Sequence, residues 1–166
     1  GMTITDEVTS TMSIGTPYCT NYQVLVYPAA SAADFENLTS LEGLNVAVES
    51  GSAGEDAALA LGATTVPVQS QANTLMEVQA GTSDCAVIDV LMAAAMTGEG
   101  TSYADLAYSL NLNDAQGLES EQYGVGFRQG SDLVDEFNTF WAEKVADGTV
   151  LEVATTYGLQ DAVILD

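Results

Sequence analysis

The sequence predicts an α/β protein with a largely parallel sheet, and three observations support this class. Short apolar runs alternate with segments of helical spacing along most of the 166 residues, which is typical of βαβ units. Hydrophobic residues make up 47% of the chain, enough to form a core despite the strong acidity. The length suits one domain or two small lobes.

The first clear strand is followed by a turn and a helix. Residues 44–49 (LNVAVE) are rich in strand-forming side chains, and a glycine-containing turn at 50–54 follows them. Ser52 and Glu55 have the spacing of a capping box, in which a hydroxyl and a carboxylate satisfy the first amides of a helix. We therefore expect a helix to begin just after the turn and to end at Gly62.

A second strand and helix come next. Residues 64–68 predict a short strand, in which Pro67 favours an edge position or the end of the strand. Ser70 is expected to cap the following helix, and Gly81 to end it in the left-handed conformation. Helical spacing assigns the buried face of this helix to Ala72, Leu75, Met76, Gln79 and Ala80.

The third strand of this series ends in an acidic residue. Residues 85–88 (CAVI) predict a buried strand that ends at Asp89, and an apolar helix is expected over 90–97. Residues 101–120 have a weaker pattern and are interpreted as a connection that contains a short strand at 106–110.

The last part of the chain predicts a strand at 122–127 and then two helices. Ser131 is expected to open the first helix, and Thr149 and Glu152 form a second predicted capping box for the next one. Apolar residues follow helical spacing in the first of these helices, at Leu133, Val134, Phe137, Phe140, Trp141 and Val145.

Composition excludes several function classes. The chain has 24 Asp and Glu residues against 2 Lys and Arg, and its formal charge is −22. Such a chain repels phosphate backbones, so we expect no nucleic-acid binding. Without histidine it cannot build a Ser-His-Asp or Cys-His centre or a His-ligated zinc site. Two cysteines without a CxxC motif predict no disulfide framework, and we expect no metal or other cofactor.

Seven segments point to a family when they are taken in order. They are residues 1–7, 15–18, 23–26, 41–55, 83–89, 121–127 and 146–159. Together they resemble the extracytoplasmic solute-binding proteins of polar amino-acid ABC transporters, family 3, which have two lobes and the type 2 periplasmic binding fold. The longest segment, LEGLNVAVESGSAGE at 41–55, carries most of the resemblance.

The resemblance implies a domain organisation. Residues 23–122 would form a complete lobe 2, and residues 1–22 and 123–166 would be a remnant of lobe 1. Two hinge strands, at 22–27 and 121–127, would join them. The family's N-terminal segment of lobe 1 is missing from this sequence, so we expect the apolar face of the long C-terminal helix to be exposed and to favour a homodimer or a domain swap. A signal sequence is not present in this chain, and a periplasmic or cell-surface location is implied by the resemblance alone.

The resemblance also implies a ligand site. The helix N-terminus at Ser50, Gly51, Ser52, Ala53 and Gly54 would bind the α-carboxylate of an amino acid with its amides and its dipole. Asp89 would bind the α-ammonium. Thr3 would add a backbone or hydroxyl contact. Two alternatives stay open: Ser52 and Glu55 could only cap a helix, and Asp89 could be an N-cap.

Two departures from the family pattern bear on the ligand. Val8 stands where the family has an arginine that holds the ligand carboxylate, and losing that charge-assisted contact typically costs about 1.5–3 kcal/mol. Glu49 stands where the family has a basic or polar residue, which makes glutamate and aspartate poor ligands. Arg128 is the one arginine of the chain and is interpreted as a surface residue.

The resemblance favours a non-enzymatic binding component, or a fragment of one. It would capture a small polar amino acid in a cleft between the lobes and dock on an ABC permease in the membrane. One alternative is a shortened member that acts through dimerisation instead of transport. Another is an enzyme similar to cyclic dehydratases of the same fold, which is less favoured because Glu49 and Asp89 have no basic partner in the sequence pattern.

Overall fold

A computed structural model describes residues 2–113 and 120–166. The chain divides into two compact units. We call Tyr22–Glu119 the central unit, and Gly1–Asn21 together with Ser120–Asp166 the terminal unit. Each unit is described by itself below.

The strands and helices of the described residues follow in chain order. The strands are β1 (Met2–Thr3), β2 (Met12–Ile14), β3 (Cys19–Asn21), β4 (Gln23–Pro28), β5 (Asn45–Glu49), β6 (Thr64–Val68), β7 (Cys85–Asp89), β8 (Leu106–Asn111), β9 (Glu121–Gly124) and β10 (Gly126–Arg128). The helices are α1 (Asp6–Thr11), α2 (Ala32–Phe35), α3 (Ala53–Ala60), α4 (Gln71–Ala80), α5 (Val90–Met96), α6 (Leu133–Ala146) and α7 (Thr149–Thr156), and a single 3-10 turn covers Ala29–Ser31.

The central unit contains a five-stranded sheet in the order β6-β5-β7-β4-β8. Strands β6, β5 and β7 are parallel, whereas β4 runs antiparallel to both β7 and β8. The prediction of a largely parallel sheet is therefore correct for β6, β5 and β7. The sheet as a whole is mixed, because β4 is antiparallel to its two neighbours. The position of β6 at the edge confirms what Pro67 predicts, because proline has no backbone N–H to donate to a neighbouring strand.

Alternating side chains of the central sheet build two cores, one on each face. On one face Val24, Val26, Ala47, Ala86 and Ile88 pack with α4 and α5. On the other face Leu25, Tyr27, Val46, Val48 and Val87 pack with α3, and Phe35 of α2 stacks on Tyr27 with ring centroids 5.2 Å apart. Both cores are built from the apolar runs that predict the strands.

The predicted helix caps of the central unit are present, with one difference in detail. The Ser52 hydroxyl accepts a hydrogen bond from the Glu55 amide at 3.2 Å, and Ser70 accepts one from the Asn73 amide at 3.3 Å. Gly81 ends α4 with φ 71°. The Glu55 carboxylate reaches the amide of Gly51, at 2.7 Å, instead of the amide of the capping serine. The Glu55 side chain therefore binds the amide of the residue before the N-cap, and not the amide of the N-cap residue Ser52 itself.

The predicted buried face of α4 is partly wrong. Met76 is 58% exposed, and Gln79 and Ala80 are exposed as well. The buried residues of α4 are Thr74, Leu75 and Val78. The threonine could not be identified from hydrophobic spacing, and it tolerates burial because its hydroxyl donates to the Gln71 carbonyl at 2.7 Å.

The terminal unit has two small antiparallel sheets, β1-β9-β3 and β10-β2. The predicted strand at 122–127 is two strands, β9 and β10, which pair in different sheets. The second predicted capping box is wrong. Gly148, with φ 83°, occupies the N-cap position of α7, so Thr149 is already the first helical residue. The N-cap of α6 is Asp132, one residue after Ser131.

Helix α6 packs in the terminal unit through aromatic rings. Phe137 lies 5.7 Å from Phe127, and Trp141 lies 6.0 Å from Tyr18, measured between ring centroids. A Cβ added at Gly15 would lie 2.6 Å from the Phe137 ring, so this glycine permits the close approach of the helix. No residue of α6, which the structure describes in full, is buried.

Among the described residues, no helix is long and apolar enough to cross a membrane.

Candidate functional site

The candidate site lies at one edge of the central sheet, where the three parallel strands end. Strands β5 and β7 end at Glu49 and Asp89. Because β4 is antiparallel to β7, its first residue, Gln23, lies opposite Asp89 in the register. The turn at 50–54 follows β5 and leads into α3. Open α/β sheets bind ligands at the carboxyl edge of their strands.

The Asp89 carboxylate accepts a hydrogen bond on each of its oxygens. The Gln23 side-chain amide donates to Oδ1 at 2.7 Å, and the Gln71 side-chain amide donates to Oδ2 at 2.7 Å. The Gln71 side-chain carbonyl also accepts the backbone amide of Asp89 at 3.2 Å. The carboxylate is therefore held by two neutral donors from two different elements, β4 and α4.

These contacts bear on the alternative that Asp89 only caps the next helix. Asp89 occupies the N-cap position of α5 with extended backbone, but within that helix, which the structure describes in full, its side chain makes no capping hydrogen bond. The side chain is half-buried, so a ligand cation would find it partly desolvated.

Three of the five backbone amides in the turn at 50–54 already donate hydrogen bonds to other groups of the protein. The amides of Ser50 and Ser52 donate to the Val68 and Glu49 carbonyls at 2.9 and 3.2 Å, and that of Gly51 donates to Glu55. Among the described groups of this turn, the amides of Ala53 and Gly54 are the ones left for an anion. Of the five residues that the sequence suggests for an anion site, the first two residues of α3 are therefore the remaining candidates.

Gly54 brings the N-terminus of α3 close to β7 and to Gln23. A Cβ at this position would lie 2.9 Å from the Val87 carbonyl oxygen and 3.0 Å from the Gln23 side-chain oxygen. Gln23 itself is only 5% exposed, and its backbone amide donates to the Asn113 side chain at 3.0 Å. The glutamine that holds Asp89 therefore lies close to Gly54, the second residue of α3.

Thr3 and Val8 belong to the terminal unit. Thr3 pairs with Tyr123 in the small sheet β1-β9-β3, and Val8 lies in α1. The structure thus brings the turn and Asp89 together within the central unit and leaves Thr3 in the other unit. Arg128 is exposed in β10, in agreement with its interpretation as a surface residue.

Gln23 and Gln71 were not predicted as site residues. Gln23 starts an apolar run, and Gln71 is the first residue of a helix; neither position marks a ligand group by its sequence. Gln23 is recognised as a site residue only from the pairing of β4 with β7, which places it opposite Asp89. Local sequence does not specify which strands pair.

The lysine, arginine, aspartate and glutamate residues are divided unequally between the two units. Thirteen of the 24 acidic residues lie in the central unit, whereas both basic residues lie in the terminal unit. Glu49, at the end of β5, is half-buried. Among the described residues, no group of three or more cysteine, aspartate or glutamate side chains is arranged to hold a metal ion.

Comparison with known proteins gave structural matches. No family model matches the chain, and no curated protein matches it. A mutant of ArgBP from T. maritima is similar with 27% identity and a TM-score of 0.65, over 95% of this chain and 66% of that one. An arginine-bound glycine-to-alanine mutant of ArgBP from the same organism is 28% identical with a TM-score of 0.57, over 84% of this chain and 62% of that one.

Two further structures support the fold. An ancestral cationic amino acid solute binding protein matches with 23% identity and a TM-score of 0.77, over 95% of this chain and 66% of that one. A substrate binding protein of a polar amino acid ABC uptake transporter from Streptococcus thermophilus matches with 22% identity and a TM-score of 0.70, over 95% and 61%. The chain has a type 2 periplasmic-binding-protein-like α/β fold, and it spans slightly less than two thirds of these proteins.

Proposed function

We propose that this chain is the amino-acid-binding part of an ABC transporter solute-binding protein and that its ligand is a cationic amino acid. The observation that carries the proposal is the Asp89 carboxylate, held at the carboxyl edge of the central sheet by two amides. This carboxylate lies on the same sheet edge as the N-terminus of α3. An acceptor for an ammonium and donors for a carboxylate are what an α-amino acid requires.

Each half of the ligand backbone has a partner in this proposal. The α-ammonium donates to Asp89 in a charge-assisted hydrogen bond. The α-carboxylate accepts from the amides of Ala53 and Gly54, where the dipole of α3 favours negative charge. Ser52 positions these amides by capping the helix.

The charge of the central unit supports a cationic side chain. The unit has acidic residues and neither lysine nor arginine, so a ligand with a second negative charge would meet repulsion, and one with a positive side chain would be attracted. Glu49, at the end of the neighbouring strand, is placed to repel an acidic side chain. The arginine-bound neighbour, at 28% identity, is in line with this choice.

The remaining parts of the proposal concern the whole protein. We propose that the central unit corresponds to lobe 2 and the terminal unit to part of lobe 1, that the protein works outside the cytoplasm, and that it delivers its ligand to an ABC permease. The S. thermophilus neighbour, a substrate binding protein of an uptake transporter, supports this assignment by its fold.

Calorimetric titration tests the ligand proposal. We expect L-arginine and L-lysine to bind and L-glutamate not to bind. Asp89→Asn should weaken arginine binding by about tenfold or more, because a hydrogen bond between charged groups contributes about 1.5–3 kcal/mol. Asp34→Asn is the matched control, since Asp34 is exposed on α2 of the same unit and the substitution changes the net charge equally. A chain that binds none of these amino acids, or an Asp89→Asn variant equal to the control, contradicts the proposal.

A second candidate function is association through the terminal unit. It is favoured by large apolar side chains that are exposed there, namely Leu133, Phe140, Leu151, Val153 and Tyr157. In that case the chain would form a homodimer or a domain swap without transporting a ligand. Native mass spectrometry distinguishes the two, because it reports the oligomeric mass and any bound amino acid in one spectrum.

A further inference from the structure

We infer that Gln23 and Gln71 are positioning residues that fix the orientation of the Asp89 carboxylate for the ligand's ammonium. The inference rests on the proposed function and adds two residues to it. Neither glutamine is assigned a contact with the ligand. Both act through Asp89, to which their side chains donate at 2.7 Å.

Two donors on two different oxygens define the plane of a carboxylate. The terminal torsion of an aspartate side chain is broad and roughly two-fold, so an unsupported carboxylate samples many orientations. Here Gln23 holds Oδ1 and Gln71 holds Oδ2. Rotation about that torsion would break both hydrogen bonds, and the acceptor directions offered to a ligand are therefore fixed before binding.

Gln71 is itself anchored by the residue that it holds. Its amide group donates to the Asp89 carboxylate, and its carbonyl oxygen accepts the Asp89 backbone amide at 3.2 Å. The two contacts form a paired bridge from the first residue of α4 to the end of β7. This pairing determines which way the Gln71 amide faces.

Gln23 is anchored by burial and by its neighbours. The residue is 5% exposed, its backbone amide donates to Asn113, and its side-chain oxygen lies against Gly54. The same side chain thus lies beside the helix end that we propose for the ligand carboxylate and donates to the group that we propose for the ligand ammonium. It links the two halves of the site.

Neutral donors suit this role better than cations. A lysine or arginine next to Asp89 would orient the carboxylate but would also neutralise it. Glutamine amides donate hydrogen bonds without bringing a positive charge to the carboxylate. The central unit contains no lysine or arginine at all, so the amides provide positioning without a competing positive charge.

The first test needs no ligand. Side-chain amide signals of Gln23 and Gln71 are assigned in a ¹H–¹⁵N spectrum by their loss in Gln23→Met and Gln71→Met. Both signals should exchange slowly with water, and at least one should shift in Asp89→Asn, which replaces one acceptor oxygen by an NH₂ group. Gln79 is the control, because it is exposed on the same helix as Gln71. The inference is overturned if both signals exchange with water as fast as that of Gln79 and if their chemical shifts do not change in Asp89→Asn.

The second test measures positioning with two probes, L-arginine and 5-guanidinopentanoate, which is arginine without its α-amino group. In the unsubstituted chain the ratio of the two affinities reports the contribution of the ammonium site. We expect this ratio to fall at least about fivefold in Gln71→Met and in Gln23→Met, and to stay unchanged in Gln79→Met. A merely structural effect would weaken both probes equally and leave the ratio unchanged.

The outcomes separate the inference from the function on which it rests. If the unsubstituted chain binds arginine and the ratio does not change in the glutamine variants, the inference is wrong and the proposed function stands. If the unsubstituted chain binds neither probe, the proposed function is wrong and the inference with it. Should the buried Gln23→Met fail to fold, the half-buried Gln71→Met alone decides the ratio, because it lies nearer the surface.

Discussion

The two units of this chain are stabilised in different ways. In the central unit, strands β4 and β7 are buried except at their last residue, β5 is buried at its three middle residues, and a core lies on each face of the sheet. In the terminal unit the strands have two to four residues, and α6, described in full, contains no buried residue. The terminal unit is also made of two segments that are separated in sequence by the whole central unit.

This difference indicates where the stability and the chemistry of the molecule lie. The central unit buries its own apolar residues and holds the candidate ligand groups on a rigid sheet edge. The terminal unit depends on ring contacts and short strand pairs, and bringing its two segments together costs loop-closure entropy. It also exposes Leu133 and Phe140 by more than half. We therefore expect the central unit to be the more stable of the two.

Matched leucine substitutions give the largest expected effect on this comparison. Leu75 is fully buried in the central unit, whereas Leu133 of the terminal unit is 53% exposed. Leu75→Ala should lower the free energy of unfolding by about 2–5 kcal/mol, since it removes buried methyl groups and leaves a cavity. Leu133→Ala should change it by less than about 0.5 kcal/mol. Urea unfolding followed by circular dichroism measures both.

The fluorescence of Trp141 sharpens the same experiment. Trp141 is the single tryptophan of the chain and lies in α6 of the terminal unit. If the terminal unit is less stable, its fluorescence transition should come at lower urea than the last part of the loss of helical signal, since helices of both units contribute to that signal. Coincident transitions together with similar effects of the two leucine substitutions would contradict the comparison.

The sequence predicted the central unit better than the terminal one, and the reason is physical. Strands β5 and β7 are buried on both faces, so they appear as continuous apolar runs, and local signals such as Ser52, Ser70 and Gly81 fix the ends of their helices. In the terminal unit the strand at 122–127 is divided because its two halves pair with different partners. Pairing over long distances in sequence is invisible to local patterns.

The same limit applies to the candidate site. Asp89 could be proposed from the end of a buried strand and from the family resemblance. Gln23 and Gln71 could not, because they become site residues only when β4 lies beside β7 and when α4 begins next to Asp89. The candidate anion-binding amides are likewise reduced to those of Ala53 and Gly54 by hydrogen bonds to Val68 and Glu55 that the sequence does not reveal.

Gly54→Ala gives the next largest expected effect, and it tests the rigidity of the sheet edge in the central unit. Alanine usually stabilises a helix relative to glycine, by about 0.5–1 kcal/mol. Here the added Cβ would lie 2.9 Å from the Val87 carbonyl and 3.0 Å from Gln23, so we expect a loss of about 1–3 kcal/mol instead. Thermal unfolding of the variant measures the sign directly.

A second substitution identifies which contact causes the loss. Gln23→Ala removes the side-chain oxygen and leaves the Val87 carbonyl in place. Adding Gly54→Ala to a Gln23→Ala chain should therefore destabilise it less than adding it to the unsubstituted chain. A stabilising effect of Gly54→Ala in both chains would show that the edge of the sheet adapts freely, contrary to the positioning that we propose.

The two cysteines, one in each unit, provide the smallest of these effects. Burial raises the pKa of the Cys85 thiol from its ordinary value of 9.0 to about 12, and the negative charge of Asp84 adds to the shift. Burial also raises the pKa of Cys19 in the terminal unit. Since a thiolate is the reactive form, both thiols should react slowly with iodoacetamide while the chain is folded. Cys19 should react faster than Cys85, because the terminal unit opens more easily, and Cys19→Ala and Cys85→Ala variants assign the two rates.

The pKa of Cys85 also predicts the direction of a pH effect. The folded state keeps this thiol neutral up to about pH 12, whereas the unfolded state ionises it above about pH 9. The stability that the neutral thiol contributes is therefore fully present below pH 9 and is lost as the pH rises from 9 towards 12, with a slope of at most about 1.4 kcal/mol per pH unit. Cys85→Ala removes this slope, and urea unfolding at pH 8 and pH 10 compares the two chains. Equal pH dependence in both would mean that the core of the central unit admits the thiolate.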